Sequence, residues 1–100
     1  MEESIKTIVD EVREDFQIPP YFPDTALERL VNEGIAYLNM LNDGANLATD
    51  MVYRSLLKNY TYYAFHHRLS EYRENYAADI LTWQLETPVE SEAADENTTS

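Results

Sequence analysis

Ala48-Thr-Asp-Met-Val-Tyr-Arg-Ser-Leu-Leu-Lys-Asn-Tyr-Thr-Tyr-Tyr-Ala-Phe-His-His-Arg68 is the stretch on which the fold turns. Met51, Val52, Leu56, Tyr60, Tyr63 and Ala64 recur at steps that align on a helix, and they predict one apolar stripe. Tyr53, Leu57, Tyr62 and Phe65 make a second face apolar as well. A helix apolar around so much of its circumference is either buried on all sides or shared with a partner chain. It is therefore the predicted centre of the fold, capped at its start by Thr49 or Asn46.

On the N-terminal side, Ile5, Ile8, Val9, Val12 and Phe16 fall on one helical face, with Glu11, Glu14 and Asp15 on the others. This first helix has to stop near Gln17, because Pro19 and Pro20 remove backbone donors and push the preceding residue out of helical geometry. A stiff connector over 17–23 leads to a second helix. There Thr25 and Glu28 fit a capping box ahead of Leu27, Leu30 and Val31. That helix is predicted to reach Asn42, its apolar period continued by Ile35, Leu38 and Leu41. Gly34 in its middle costs about 1 kcal/mol relative to alanine, a choice that a close helix crossing would explain. Gly44 is available for a left-handed cap. On the C-terminal side a single fourth helix is predicted from Ser70 to Leu85, with Tyr72, Tyr76, Ile80 and Trp83 on one face and Ala77, Leu81 and Leu85 beside it.

The expected fold class is all-α, a compact bundle of about four helices over residues 1–86, followed by a disordered acidic tail over 87–100. That tail carries four acids, no base and one sizeable apolar residue, Val89, too little to offset the entropy of ordering. A core this small gains from neighbours, so self-association is expected.

Composition removes whole classes of function. The absence of cysteine excludes disulfides, thiolate chemistry and cysteine-ligated zinc. Met1-Glu2-Glu3-Ser4 lacks the basic start of a secretory signal, and no apolar run is long enough for a membrane span, so a soluble chain with no membrane association is expected. The net charge of −12 disfavours ordinary binding to nucleic-acid phosphates, which rests on Lys and Arg. The charge is unevenly placed: residues 1–50 carry 11 acids and 3 bases, residues 51–86 four of each.

His66 and His67 are adjacent and point about 100° apart on a helix, so they do not form the i, i+4 pair that shares a metal. One is expected to pack near the helix end and the other to be solvated. The carboxylates lie on polar faces, where nothing raises their pKa into a working range. There is no glycine-rich phosphate loop and no nucleophile motif. Neither an enzyme nor a cofactor is expected.

Eight tyrosines in 100 residues point instead to surfaces that are apolar yet end wet. Tyr62, Phe65, Tyr72 and Trp83 are candidate contact anchors, the alternative being that they fill the core. Arg54 and Lys58, one turn apart, either meet acids in the N-terminal half of a neighbouring copy or form a solvated face.

The order of these features resembles the head-to-tail connector, or adaptor, family of long-tailed double-stranded DNA phages, particularly those of Gram-positive bacteria. The residues that carry the likeness are Asp15-Phe-Gln-Ile-Pro-Pro20, the Leu27 to Leu41 helix, Asp50-Met-Val-Tyr-Arg-Ser-Leu-Leu-Lys-Asn-Tyr60 and Ile80-Leu-Thr-Trp-Gln-Leu85. The resemblance implies a helical virion subunit that forms a homo-oligomeric ring, usually of twelve or thirteen copies, in the host cytoplasm during assembly and at the head-tail junction afterwards. Such a ring docks on the portal protein after DNA packaging, extends the DNA channel and receives the next connector or tail-completion protein. DNA passes through it without being bound specifically. In the family the C-terminal segment commonly reaches the portal, which maps onto Leu85 to Ser100. A ring needs two different lateral patches, and acids facing a lumen would let a duplex slide. The alternative function is an acidic regulatory module, a DNA mimic or anti-repressor, that occupies the basic surface of a protein partner.

Overall fold

The computed structural model describes residues 3–87. They form five α-helices: α1 (Glu3–Asp15), α2 (Asp24–Leu41), α3 (Met51–Phe65), α4 (Leu69–Asn75) and α5 (Ala77–Glu86). No strand occurs among the described residues, and none of their helices is long and apolar enough to cross a membrane. The tail predicted to be disordered lies, from residue 88 on, outside the described residues.

Helix α3 packs against each of the other four, as its doubly apolar circumference predicts. It begins at Met51 rather than Ala48, because the cap is Asp50 and not Thr49 or Asn46. The Asp50 carboxylate accepts from the backbone N–H groups of Val52 and Tyr53 at 3.0 and 3.1 Å, filling two of the donors that a helix start leaves open. Asn46 instead shapes the preceding loop: its side-chain oxygen accepts from Ala48 N–H at 2.9 Å, and its carbonyl accepts from Asp50 N–H at 2.8 Å.

The expected close crossing is present at Gly34, where α2 meets α3. A Cβ there would lie 2.7 Å from Leu57 Cδ1 and 2.8 Å from Tyr60 Cδ1, well inside van der Waals contact. Leu27, Val31 and Leu38 of α2 are fully buried around this point. The predicted capping box does not form. Helix α2 starts at Asp24 with Pro23 before it and no side-chain cap, since Ala26 and Leu27 N–H both reach the Pro23 carbonyl. Asp24 is drawn away by Arg13, whose guanidinium donates to Asp24 Oδ1 and to the carbonyls of Pro19 and Phe22, all at 2.7 Å. One side chain of α1 thereby satisfies a proline-rich connector that has few donors of its own.

Left-handed backbone occurs at Gln17 (φ 53°) and His67 (φ 58°), and not at Gly44. Each follows a helix end, and the next N–H folds back on the helix: Ile18 N–H to the Arg13 carbonyl at 3.0 Å and Arg68 N–H to the Tyr63 carbonyl at 2.8 Å. This is the six-to-one closure usually given to glycine. Helix α2 ends differently, with Asn42 in a non-helical conformation and its side-chain amide donating to Thr87 Oγ1 at 2.9 Å.

The predicted single helix over 70–85 is two helices, which makes five in place of four. The break falls on Tyr76 (φ −108°, ψ 8°). Hydrogen bonds continue on both sides, from Tyr76 N–H to the Tyr72 carbonyl and from Ile80 N–H to the Tyr76 carbonyl, so the break is a bend at one residue. Neither glycine nor proline causes it. The Tyr76 ring stacks on Tyr72 at 4.7 Å and meets Tyr63 edge-on at 5.8 Å. The bend turns α5 so that Ile80 and Trp83 return to the core.

Gly34→Ala is expected to lower stability by about 1 kcal/mol, the overpacking cost of about 1–3 kcal/mol exceeding the helix-propensity gain. A denaturant midpoint that stays put or rises would mean that the Leu57 and Tyr60 side chains give way to the added methyl group.

Candidate interaction surfaces

Arg54 and Lys58 do not reach outward. Both turn onto α1, where Glu11 and Asp15 present carboxylates one turn apart. The Arg54 guanidinium donates to both Glu11 oxygens. Lys58 Nζ bridges Glu11 at 3.2 Å and Asp15 at 2.8 Å. Instead of a neighbouring copy or solvent alone, both side chains meet acids of their own chain in an ion-pair clasp, because α1 lies alongside α3 and offers acids at the matching spacing. The hydrogen bond from Arg54 holds the Glu11 carboxyl below the usual glutamate range, against a smaller opposing effect of burial. Hydrogen bonding to Asp15 is the main cause that raises Lys58. These groups keep part of their surface in water, so each pair contributes on the order of 1 kcal/mol or less.

Of the four aromatic candidates, two lie inside the chain. Tyr72 is fully buried and Trp83 nearly so, both as core side chains with satisfied polar tips. The Tyr72 hydroxyl donates to the Leu56 carbonyl at 2.8 Å, and burial pushes its phenol far above the ordinary tyrosine range. The Trp83 indole N–H donates to Asp50 Oδ2 at 2.8 Å. The other two keep partial exposure while making aromatic pairs within the chain. Tyr62 stacks on Phe16 at 4.4 Å, and Phe65 meets Phe22 edge-on at 4.9 Å. Tyr62 and Phe65 thus pack against the end of α1 and the proline connector, while Tyr53 and Leu57 of the same face meet Trp83 and α2. His66 and His67 are both exposed, His66 lying edge-on to Tyr62 and Phe65. Among the described residues, no three potential ligand side chains gather to hold a metal ion.

Exposed apolar surface lies elsewhere. Met51 and Val52, predicted to belong to the core stripe, are 71% and 52% exposed, and Leu81 and Leu85 of α5 are 55% and 78% exposed. Periodicity puts Met51 and Val52 on an apolar face of α3, but that face outruns its neighbours in the first turn. They border an open groove of about 870 Å³ between the start of α3 and the side of α5. Leu56 and Trp83 line it deeper in, and Asp50, Asp79 and Glu86 are its charged residues; among the described residues no Lys, Arg or His lines it. Leu81 and Leu85, with Ala77 one turn earlier, form a separate exposed stripe on α5.

The residue that sequence reasoning missed is Asp50. One carboxylate oxygen caps α3 while the other receives Trp83, so a single side chain ties the start of α3 to α5 beside the groove. Its position just before Met51, where aspartate is a favoured cap, was the available signal. The indole, 33 residues away, left none.

Two variants test these contacts. Asp50→Ala is expected to cost about 2–4 kcal/mol, combining a lost cap with an indole N–H left unpaired. Asp50→Asn keeps the cap oxygen and loses only the Trp83 bond, so it should fall between; denaturation followed by the emission of Trp83, the sole tryptophan, reads both. Equal losses for the two would mean that the indole bond carries all of the effect.

For the clasp, the Glu11 carboxyl titrates lower in the folded chain than in the unfolded one, so its contribution is present above the unfolded glutamate value and is lost as pH falls through the folded one. Glu11→Gln should therefore lower stability by about 0.5–1 kcal/mol at neutral pH, with the two proteins converging in acid. A gap independent of pH would rule out the ionic contribution.

No family model, curated protein or solved structure matches this chain.

Proposed function

We propose that this protein is a structural subunit of a phage head-to-tail connector ring, one that docks on the portal and prolongs the DNA channel. The observation that carries the reading is exposed apolar surface at separate places on one small bundle outside the groove: the stripe at Leu81 and Leu85 on α5, and Met40 on α2 with Tyr21 on the connector. Head-to-tail association into a closed ring requires two different patches on each copy. The net charge of −12 suits a conduit through which a duplex slides without being gripped. The arrangement of helices and aromatics along the sequence supports the same assignment.

A second reading, an acidic regulator that occupies the basic surface of a nucleic-acid-binding protein, is favoured by the carboxylates along the groove. Stoichiometry separates the two. Native mass spectrometry of the full chain with a portal ring is expected to give a closed ring of subunits on the portal, lost in the Leu81→Glu/Leu85→Glu variant while its helicity is unchanged. A chain that stays monomeric with the portal present, and that captures a basic DNA-binding protein one to one, would overturn the connector in favour of the regulator.

A further inference from the structure

The groove between α3 and α5 has a composition that selects its occupant. Its apolar lining includes Met51, Val52, Leu56, Tyr76 and Trp83, and its charged residues are all acidic, Asp50, Asp79 and Glu86. Asp50 is engaged at both oxygens, which leaves Asp79 and Glu86, both exposed, to face whatever enters. Met51 adds an unbranched, polarizable side chain that adapts to irregular apolar partners. From Tyr76 to Glu86 the α5 wall is about 15 Å long, close to three helical turns.

Segments of this chain are poorly suited to the site. Residues 88–100 carry four acids and no base, so like charges would oppose their entry. The Leu81 and Leu85 stripe of a second copy is flanked by Asp79 and Glu86 and contains no base between Ala77 and Glu86. Most of the chain's own cations are engaged: Lys6 with Asp10, Arg13 with Asp24, Arg54 and Lys58 with Glu11 and Asp15, Arg68 with Glu71, and Arg73 over the Tyr37 ring. A basic segment of another protein is the better complement. We propose that the groove binds a basic amphipathic helical segment of a partner protein, its apolar side on Met51 and Val52 above the buried Trp83 and its Lys or Arg side chains against Asp79 and Glu86. This goes beyond ring formation and holds with or without it: ring assembly is read by stoichiometry, and groove binding by peptide titration.

The probe is a synthetic amphipathic helix built from leucine and lysine, about three to four turns long and free of tryptophan, titrated into the full-length chain while the emission of Trp83 is followed. Saturable binding is expected, with no binding of the same peptide carrying glutamate in place of lysine. Asp79→Lys/Glu86→Lys should weaken binding about tenfold, equivalent to about 1.4 kcal/mol, and Val52→Gln severalfold. Glu14→Lys/Glu33→Lys changes the net charge equally at exposed positions outside the groove and should leave affinity within about twofold. Circular dichroism confirms that each variant is folded. If the two charge-reversed pairs weaken binding alike, bulk charge alone is responsible and the proposal fails; it fails too if the glutamate peptide binds equally or the lysine peptide does not bind. A concentration-dependent change in Trp83 emission without peptide, abolished by Leu81→Glu, would assign the groove to a second copy and overturn it as well.

Discussion

At Gly34 the backbone of α2 approaches α3 so closely that one methyl group has no room. This proximity fixes the rest of the layout. With α2 seated directly on Leu57 and Tyr60, α3 is enclosed on one side, and its remaining apolar faces have to be covered by α1, α4 and α5. A chain of this length has no second layer, so each of these helices is short and each directs its apolar residues at the same central element. The aromatic density follows from that constraint. Large rings such as Tyr53, Tyr60 and Tyr72 bury more surface per residue than aliphatic side chains do, and their hydroxyls find partners such as Asn39 and the Leu56 carbonyl.

Charge is divided with similar consistency. Cations at the helix contacts are used internally, Arg13 on the connector and Arg54 with Lys58 on α1. The acids outnumber the bases 19 to 7, and among the described residues Glu14, Glu33, Asp43, Glu74, Asp79 and Glu86 are exposed, the last two along the groove. The outcome is a groove whose charged side chains are all acidic, the nearby basic residues being used in contacts elsewhere.

Much of the fold was legible in the sequence. The helical class, the proline stop after α1, the central position of the 51–65 helix and the crossing at Gly34 all rest on local patterns, which periodicity and backbone sterics decode. Periodicity gives the faces of a helix about its own axis, but not how far each face extends under a neighbour. That is why Met51 and Val52, on the apolar stripe of α3, are exposed, and why Tyr72 and Trp83, candidate contact anchors by pattern, are interior. The clasp from Arg54 to Glu11, the Arg13 bonds and the Asp50 to Trp83 bond join residues apart in the chain, and only the assembled bundle brings them together. The bend at Tyr76 has the same origin, as ring packing among Tyr63, Tyr72 and Tyr76 redirects a segment whose composition alone favours a straight helix.

The double engagement of Asp50 bears on how the chain folds. A helix cap is ordinarily a local matter, settled within one turn. Here the carboxylate that begins the central helix is oriented by an indole that arrives with the last one. Release of α5 would free that carboxylate to rotate and loosen the first turn of α3, so the beginning of one element and the docking of another rise and fall together. Coupling of this kind favours all-or-none unfolding over helix-by-helix fraying.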